Sequence, residues 1–281
     1  MEGTAEVGGV GRVGGVGKAW GVGKAWGVEG TEDDELARRS VASFGEVLTV
    51  VGRWGVGPGA VIRRPDAVGA HIPDVGANPW FDAVVVPFGA PPPGRDDALP
   101  YCIWTAAERV AGRTEDPSIA MPCMGLDLTG PRPAGWSGPI TVDVPPLAEV
   151  GDMNDRAYGV DTVFGPLAAR IADDRVATVG IRSDGRFVCV AVTLTLGDDL
   201  GIHYVATEST HRRRGLATAL LSTVLDRAAA DGLHTATLQA SPDGRPVYLR
   251  MGFRPVTLLR GFVRPTAGQA GDDRTGVGPG D

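Results

Sequence analysis

Apolar residues recur at helical spacing near the start of the chain. From Asp34 to Val51 most of them lie three or four positions apart, at Leu36, Val41, Phe44, Val47, Leu48 and Val51. This spacing places them on one face of an α-helix, so it predicts an amphipathic helix. Short apolar stretches separated by proline-rich connections follow, and they predict strands near residues 60–63, 80–88, 101–105 and 124–128.

The second half of the chain alternates between strand and helix patterns. A strand is predicted at Ile140–Val144, and helices are predicted at Leu147–Tyr158 and Thr162–Ala172. Asp184-Gly185 joins two runs rich in valine and threonine, which is a strong hairpin signal. The predicted order then continues with a strand at Gly201–Thr207, a helix at Ala217–Ala230 and a strand at Ala236–Ser241.

A basic turn joins that strand to that helix, with the sequence His211-Arg212-Arg213-Arg214-Gly215-Leu216. The first turn of a helix has backbone N–H groups without partners, and its dipole is positive. Gly215 has no Cβ, so a ligand can approach the backbone closely. Three arginines oppose the dipole unless an anion lies nearby, so the turn predicts a diphosphate-binding site. The lysine of a Walker loop is missing, which makes another type of nucleotide-binding domain the weaker alternative.

Two motifs resemble the GNAT superfamily of acyl-CoA-dependent N-acetyltransferases. Arg212-x-x-Gly215-x-Ala217 is similar to the Arg/Gln-x-x-Gly-x-Gly/Ala signature of the family, and Tyr248 with Gly252-Phe253 is similar to its Tyr-x-x-x-Gly-Phe ending. The resemblance covers about residues 139–264. It implies an α+β (mixed α/β), tandem GNAT-like fold, in which helices flank a central, mostly antiparallel twisted sheet with splayed strands. It also implies direct transfer of an acetyl or short acyl group from acetyl-CoA to a primary amine of a small-molecule or peptide acceptor.

The same resemblance implies roles for particular residues. Tyr248 is expected to act as the general acid that protonates the departing thiolate. A cofactor contact is expected from Ser241. The general base is left open: it can be His203, Glu208 or a chain of water molecules. The remaining expected cofactor contacts are the backbone of Val205, Ala206 and Thr207 for the amide-bearing arm, and Arg212, Arg213, Arg214, Gly215, Leu216, Ala217 and Thr218 for the pyrophosphate.

Composition changes along the chain predict five segments. Residues 33–130 resemble a degenerate N-terminal GNAT-like domain whose usual helix is reduced to about Arg95–Leu99, and which has no glycine turn leading into a helix. We expect this part to shape the substrate entrance and not to bind the cofactor. The other segments are a disordered Gly-rich stretch with a repeated GVGKAW at 1–32, a linker at 131–138, the acetyltransferase domain at 139–265 and a disordered tail at 266–281.

The net charge and the cysteine content exclude several classes of binding partner and site. The chain has 281 residues and a net charge of −7, which argues against nucleic acid. Its three cysteines form no Cys-x-x-Cys pair, so neither a zinc site nor a disulfide framework is expected. No membrane span or secretory signal is found, and we expect a cytoplasmic monomer or homodimer without a metal. A non-catalytic acyl-CoA-binding sensor or scaffold is the alternative function, and the acceptor amine is not given by the sequence.

Overall fold

A mixed sheet of ten strands is the framework of the described part of the chain. The computed structural model describes residues 31–133, 135, 136, 138, 140–159 and 162–265. Its elements follow each other as α1 (Thr31–Gly55), β1 (Val61–Arg64), β2 (Ala67–Ala70), β3 (Ala83–Val85), β4 (Cys102–Thr105), β5 (Thr114–Asp127), α2 (Leu147–Tyr158), α3 (Phe164–Ala168), β6 (Val176–Ser183), β7 (Arg186–Leu196), β8 (Asp199–Thr207), α4 (Leu216–Ala230), β9 (Thr235–Gln239), α5 (Arg245–Arg250) and β10 (Arg254–Val263).

The strand order is β1-β2-β3-β4-β10-β5-β9-β8-β7-β6. Neighbouring strands are antiparallel except for β3–β4 and β8–β9, which are parallel. The predicted mixed α/β fold with a mostly antiparallel sheet is therefore confirmed. The C-terminal strand β10 lies between β4 and β5, so the two parts of the chain share one continuous sheet. The division into domains at 33–130 and 139–265 stays a prediction.

Helices cover both faces of the sheet. Cys123 faces the core under α1, whereas its neighbour Met124 faces the core under α4. In the same way, Val190 packs with α2 and Cys189 with α4. Because successive strand residues point to opposite faces, α1 and α2 lie on one side of the sheet and α4 lies on the other.

The first helix begins earlier than predicted. Residues 1–30 lie outside the described residues, whereas Thr31 and Glu32, which were expected to be disordered, belong to α1. Glu32, Asp33 and Asp34 occupy the first helical turn, where the positive end of the helix dipole favours acidic side chains. The predicted disordered tail, 266–281, also lies outside the described residues.

Several predicted elements are shorter or longer in the structure. The strand expected at 80–88 is reduced to β3, because residues 80–82 form a turn and bend, and Pro87 cannot donate a ladder hydrogen bond. The strand expected at 140–144 is a single bridge between Asp143 and Gly180. No helix forms at 95–99, and the helix expected at 162–172 is reduced to α3. In contrast, β5 has 14 residues, far more than the expected 124–128.

No helix among the described residues combines the length and the apolar character that crossing a bilayer requires.

Candidate functional site

A gap opens in the sheet between β8 and β9. The two strands pair in parallel from Asp199–Thr235 to Ile202–Leu238, and the pairing ends there. Beyond this point β8 continues beside β7 alone, up to Thr207 opposite Cys189. A bulge at Tyr204, whose φ is 50°, turns β8 away from β9. The structure thus has the splayed strands that the sequence predicted.

The edge of β8 offers backbone groups to this gap. Glu208 N–H bonds to the carbonyl of Val188, and Ala206 pairs with Val190. Because alternate residues of an antiparallel strand face the same neighbour, the backbone groups of Val205 and Thr207 point away from β7 and into the gap. The backbone groups of Ala206, the third residue expected to bind the cofactor arm, face β7.

The N-terminus of α4 lies next to the end of β8. Gly215 is its N-cap in the left-handed conformation, with φ 76°, and no side chain caps the helix. The backbone N–H groups from Arg213 to Thr218 have no hydrogen-bond partner among the described residues, whereas Ala219 N–H bonds to the carbonyl of Gly215. This arrangement leaves a set of donors at the positive end of a helix, which suits an anion.

The three arginines before Gly215 differ in their contacts. Arg212 donates from Nε to the carbonyl of Thr207 at 3.1 Å and from a terminal nitrogen to the carbonyl of Ala157 at 3.2 Å. Arg214 donates to the carbonyl of Thr210 at 3.0 Å. Arg213 has no partner among the described residues, and its own φ is 61°. Two arginines thus hold the loop in place, and Arg213 is left for a ligand.

The connection between the two halves of the chain passes over this helix end. A Cβ added to Gly215 would lie 2.9 Å from the ring of Trp136, which is 42% exposed. The Trp136 backbone N–H donates to Ser222 Oγ at 3.2 Å. Part of the predicted linker at 131–138 is therefore packed along α4.

Tyr248 lies on α5 at the inner end of the gap. Only 7% of its surface is exposed, and its ring packs edge-on against Phe253 with ring centroids 6.0 Å apart. Its hydroxyl has no hydrogen-bond partner among the described residues. Burial raises the pKa of the Tyr248 phenol well above its ordinary value, and the neighbouring Tyr158 and Cys189 raise it further. The phenol is therefore protonated at neutral pH, as a proton donor must be.

Ser241 and Tyr158 lie beside this phenol. Ser241 follows β9, and its Oγ accepts a hydrogen bond from the N–H of Gly244 at 3.2 Å, at the start of the turn into α5. Tyr158 ends α2 and is 43% exposed. Although the residue as a whole is this exposed, desolvation by the surrounding protein raises the pKa of its phenol, and a side-chain hydrogen bond with Ser241 offsets part of this rise. The structure thus brings a second phenol to the gap that the sequence analysis missed.

A signal for Tyr158 was present in the sequence. Asn154 and Tyr158 are spaced i, i+4 on α2, and both line the same cavity. Polar residues at this spacing on the buried side of an amphipathic helix indicate a polar site below it.

The two candidate bases are placed differently. His203 is 6% exposed and lines the cavity, and its Nε2 lies 3.0 Å from Ser43 Oγ of α1. Burial lowers the pKa of His203 to about 3, so it is a neutral and weak base at pH 7. Glu208 forms an ion pair with Arg156 at 2.8 Å and does not line the cavity. His203 is thus a poor base inside the cavity, and Glu208 lies outside the cavity.

These side chains surround a cavity of about 170 Å³. One end is lined by His203, Tyr204, Val205, Ser241 and Tyr248, beside the gap. The other end is lined by residues of the N-terminal part, among them Phe44, Val47, Asn78, Trp80, Phe81 and Met121. The geometry can hold a linear cofactor arm against β8 and bring its end next to a phenol and a second pocket.

Known proteins share both the sequence pattern and the fold. A family model for the acetyltransferase (GNAT) domain matches residues 161–260. No curated protein matches the chain. The structure is similar to a GCN5-related N-acetyltransferase from Kribbella flavida, with 17% sequence identity, a TM-score of 0.55, and coverage of 83% of this chain and 97% of that chain.

Two further solved structures are more distant. A GCN5-related N-acetyltransferase from Sphaerobacter thermophilus has 18% identity and a TM-score of 0.46, with 58% of this chain and 60% of that chain covered. The ribosomal-protein-S18-alanine N-acetyltransferase from Escherichia coli has 17% identity and a TM-score of 0.38, with 46% and 97% covered. GNAT acetyltransferases use acetyl-CoA as the donor of the acyl group that they transfer. Residues 161–260 of this chain thus match an acetyltransferase (GNAT) domain, and the structure shares its fold with a GCN5-related N-acetyltransferase.

Proposed function

We propose that this chain transfers the acetyl group of acetyl-CoA directly to a primary amine, with Tyr248 as the general acid. The observation that carries the proposal is the position of this phenol, which is protonated and unpartnered at the inner end of the gap between β8 and β9. A protein that only bound acyl-CoA would have no use for a free phenol there.

The cofactor is proposed to lie along the gap. Its diphosphate accepts hydrogen bonds from the N–H groups at the start of α4, and Arg213 adds a positive charge. Its amide-bearing arm pairs with the backbone of Val205 and Thr207, as an added strand would. Arg212 and Arg214 support this site by holding the loop, and Ser241 orients the turn that leads to Tyr248.

The transfer step is balanced by these groups. The amine nitrogen attacks the thioester carbonyl, the C–N bond forms, and the C–S bond breaks. The leaving thiolate takes the proton of the Tyr248 phenol, and the phenolate regains a proton from the nitrogen, directly or through water. The products are the acetylated amine and CoA with a free thiol. One well-placed proton donor contributes a factor of about 10²–10⁴ to such a rate.

Replacing Tyr248 by Phe tests the proposal. The ring and its packing on Phe253 remain, so we expect the affinity for acetyl-CoA to persist while kcat for amine acetylation falls about 10²–10⁴-fold. Turnover is followed by release of the CoA thiol, and binding by the rise in melting temperature with acetyl-CoA. Tyr101→Phe is the matched control, since Tyr101 does not line the cavity, and it should leave kcat unchanged.

Other outcomes would contradict parts of the proposal. Full activity in Tyr248→Phe would remove this phenol from the mechanism. A comparable loss in Tyr158→Phe alone would assign the acid to Tyr158. If acetyl-CoA raised the melting temperature but no amine was acetylated, the chain would be the sensor or scaffold of the alternative hypothesis.

A further inference from the structure

The cavity next to Tyr248 has mainly apolar and aromatic walls on the side of the N-terminal part. Trp80 packs on the fully buried Trp104 with ring centroids 5.1 Å apart. The rings of Phe81 and Tyr204 are stacked, with centroids 6.4 Å apart. The other large apolar side chains that line this end are Phe44, Ile119 and Met121.

No charged side chain lines the cavity, among the residues that the structure describes. The acidic residues adjacent in sequence to lining residues, Glu46 and Asp82, are paired with other groups of the protein. Glu46 forms ion pairs with Arg63 at 2.7 Å and Arg175 at 2.9 Å. Asp82 accepts hydrogen bonds from the N–H groups of Ile72 and Tyr101, both at 2.8 Å. Neither carboxylate is available to a cation in the cavity.

Two other carboxylates are close by but do not line the cavity. Asp155 is 3% exposed and accepts hydrogen bonds from the N–H groups of residues 163–165 through Oδ2. Its Oδ1 is buried without a partner among the described residues, and Asp155 does not line the cavity. Asp243 is exposed on the turn before α5. Among the described residues, no carboxylate therefore lines the cavity as a counterion for a positively charged group.

We infer that the acceptor is a small primary amine whose remaining part is apolar, either aliphatic or aromatic, and carries no second positive charge. This inference rests on the proposed amine acetylation. The cavity, at about 170 Å³, is smaller than the roughly 300–1,000 Å³ of pockets for drug-sized ligands, which favours a small acceptor.

The physical reason is the cost of removing charge from water. An ammonium group transferred into an uncharged, apolar site loses its hydration without a compensating ion pair. The reacting nitrogen avoids this loss by entering as the neutral amine, which is also the nucleophilic form. A second ammonium on a polyamine or aminoglycoside cannot avoid it, because it takes no part in the reaction.

A matched pair of amines tests the inference. Hexylamine and 1,5-diaminopentane have chains of nearly equal length and differ in whether the far end is a methyl or an ammonium group. With the full-length chain and saturating acetyl-CoA, we expect kcat/KM to be at least about 100-fold higher for hexylamine. 2-Phenylethylamine should also be acetylated, while spermidine and kanamycin should be poor acceptors.

A pair of tryptophan variants places the selectivity in this cavity. Trp80→Leu should raise KM for hexylamine and 2-phenylethylamine by about tenfold, with KM for acetyl-CoA unchanged, because it removes part of the wall. Trp54→Leu makes the same exchange at a partly buried residue that does not line the cavity, and it should change neither KM.

The outcomes separate the two proposals. Acetylation of 1,5-diaminopentane, spermidine or kanamycin as efficiently as hexylamine would overturn the acceptor class and leave amine acetylation in place. Binding of acetyl-CoA without acetylation of any of these amines would overturn both. Equal KM changes in Trp80→Leu and Trp54→Leu would also contradict this cavity as the acceptor site.

Discussion

Single residues in this protein owe their properties to their surroundings more than to their type. His203 is the clearest case, because it lies in a strand and is enclosed by α1, with Ser43 at 3.0 Å. Gly201 permits this approach, since a Cβ there would collide with Ser43 Oγ. The histidine is therefore buried as a neutral ring, and burial lowers its pKa from 6.5 to about 3. Its charge state in the fold cannot be predicted from the sequence.

The buried histidine should make the protein sensitive to acid. Between pH 6.5 and 3 the unfolded chain binds a proton at this residue and the folded chain does not, so stability falls as the pH falls through this window. At pH 4.5 the contribution is a loss of about 2–3 kcal/mol. Urea unfolding of His203→Gln between pH 7 and 4.5 should show a shallower loss than the wild type. His211→Gln, outside the core, is the control, and parallel profiles for all three proteins would contradict the prediction.

At the scale of elements, α4 has two glycines in the left-handed conformation, one at each end. Gly215 has φ 76° before the first turn, and Gly232 has φ 82° just after the helix. Glycine suits both positions because other residues are strained there. Only the N-terminal one adjoins the unpartnered N–H groups, so the two positions differ in function but not in backbone conformation.

Alanine substitutions at these two glycines test the diphosphate site. Each should cost about 1–2 kcal/mol of stability, because alanine is strained in this conformation. Gly215→Ala should in addition weaken acetyl-CoA binding by about tenfold, since its Cβ, 2.9 Å from the Trp136 ring, crowds the helix end that would hold the diphosphate. Gly232→Ala should not, as nothing lies within 4 Å of its Cβ. Calorimetric titration of both variants with acetyl-CoA measures this difference. Equal affinities of the two variants for acetyl-CoA would contradict a diphosphate site at the start of α4.

At the scale of the whole molecule, β10 links the two parts of the chain. It pairs with β4 on one side and β5 on the other, and β5 pairs in turn with β9. The N-terminal part without β10 would have a break in the middle of its sheet. We therefore expect both parts to unfold together, although sequence resemblance suggests two domains.

A substitution that creates a cavity at β10 should destabilise both parts of the chain together. Leu259 is fully buried, so Leu259→Ala should reduce the free energy of unfolding by about 2–5 kcal/mol. Hydrogen exchange of the most protected amides should accelerate by a similar factor in β4 and in β7. Leu249→Ala, at a residue 41% exposed on α5, is the control and should have little effect. Acceleration in β4 with unchanged exchange in β7 would show that the parts unfold separately.

The sequence alone determined the features that depend on local contacts. Spacing, turn residues and helix-end donors predict the hairpin at Asp184-Gly185, the helix Leu147–Tyr158 and the glycine before α4, because each of these depends on neighbours in the sequence. The motif with Tyr248 likewise indicated an acetyltransferase, which the matched domain confirms.

The tertiary structure decided what depends on contacts between distant parts of the chain. The place of β10 between β4 and β5 is set by pairing across more than a hundred residues, which no local pattern encodes. Which arginine of the basic turn stays free depends on the carbonyls of Ala157, Thr207 and Thr210. The uncharged cavity forms only when α1 and β5 close over β8, because burial and charge pairing are properties of the packed molecule and not of any single segment.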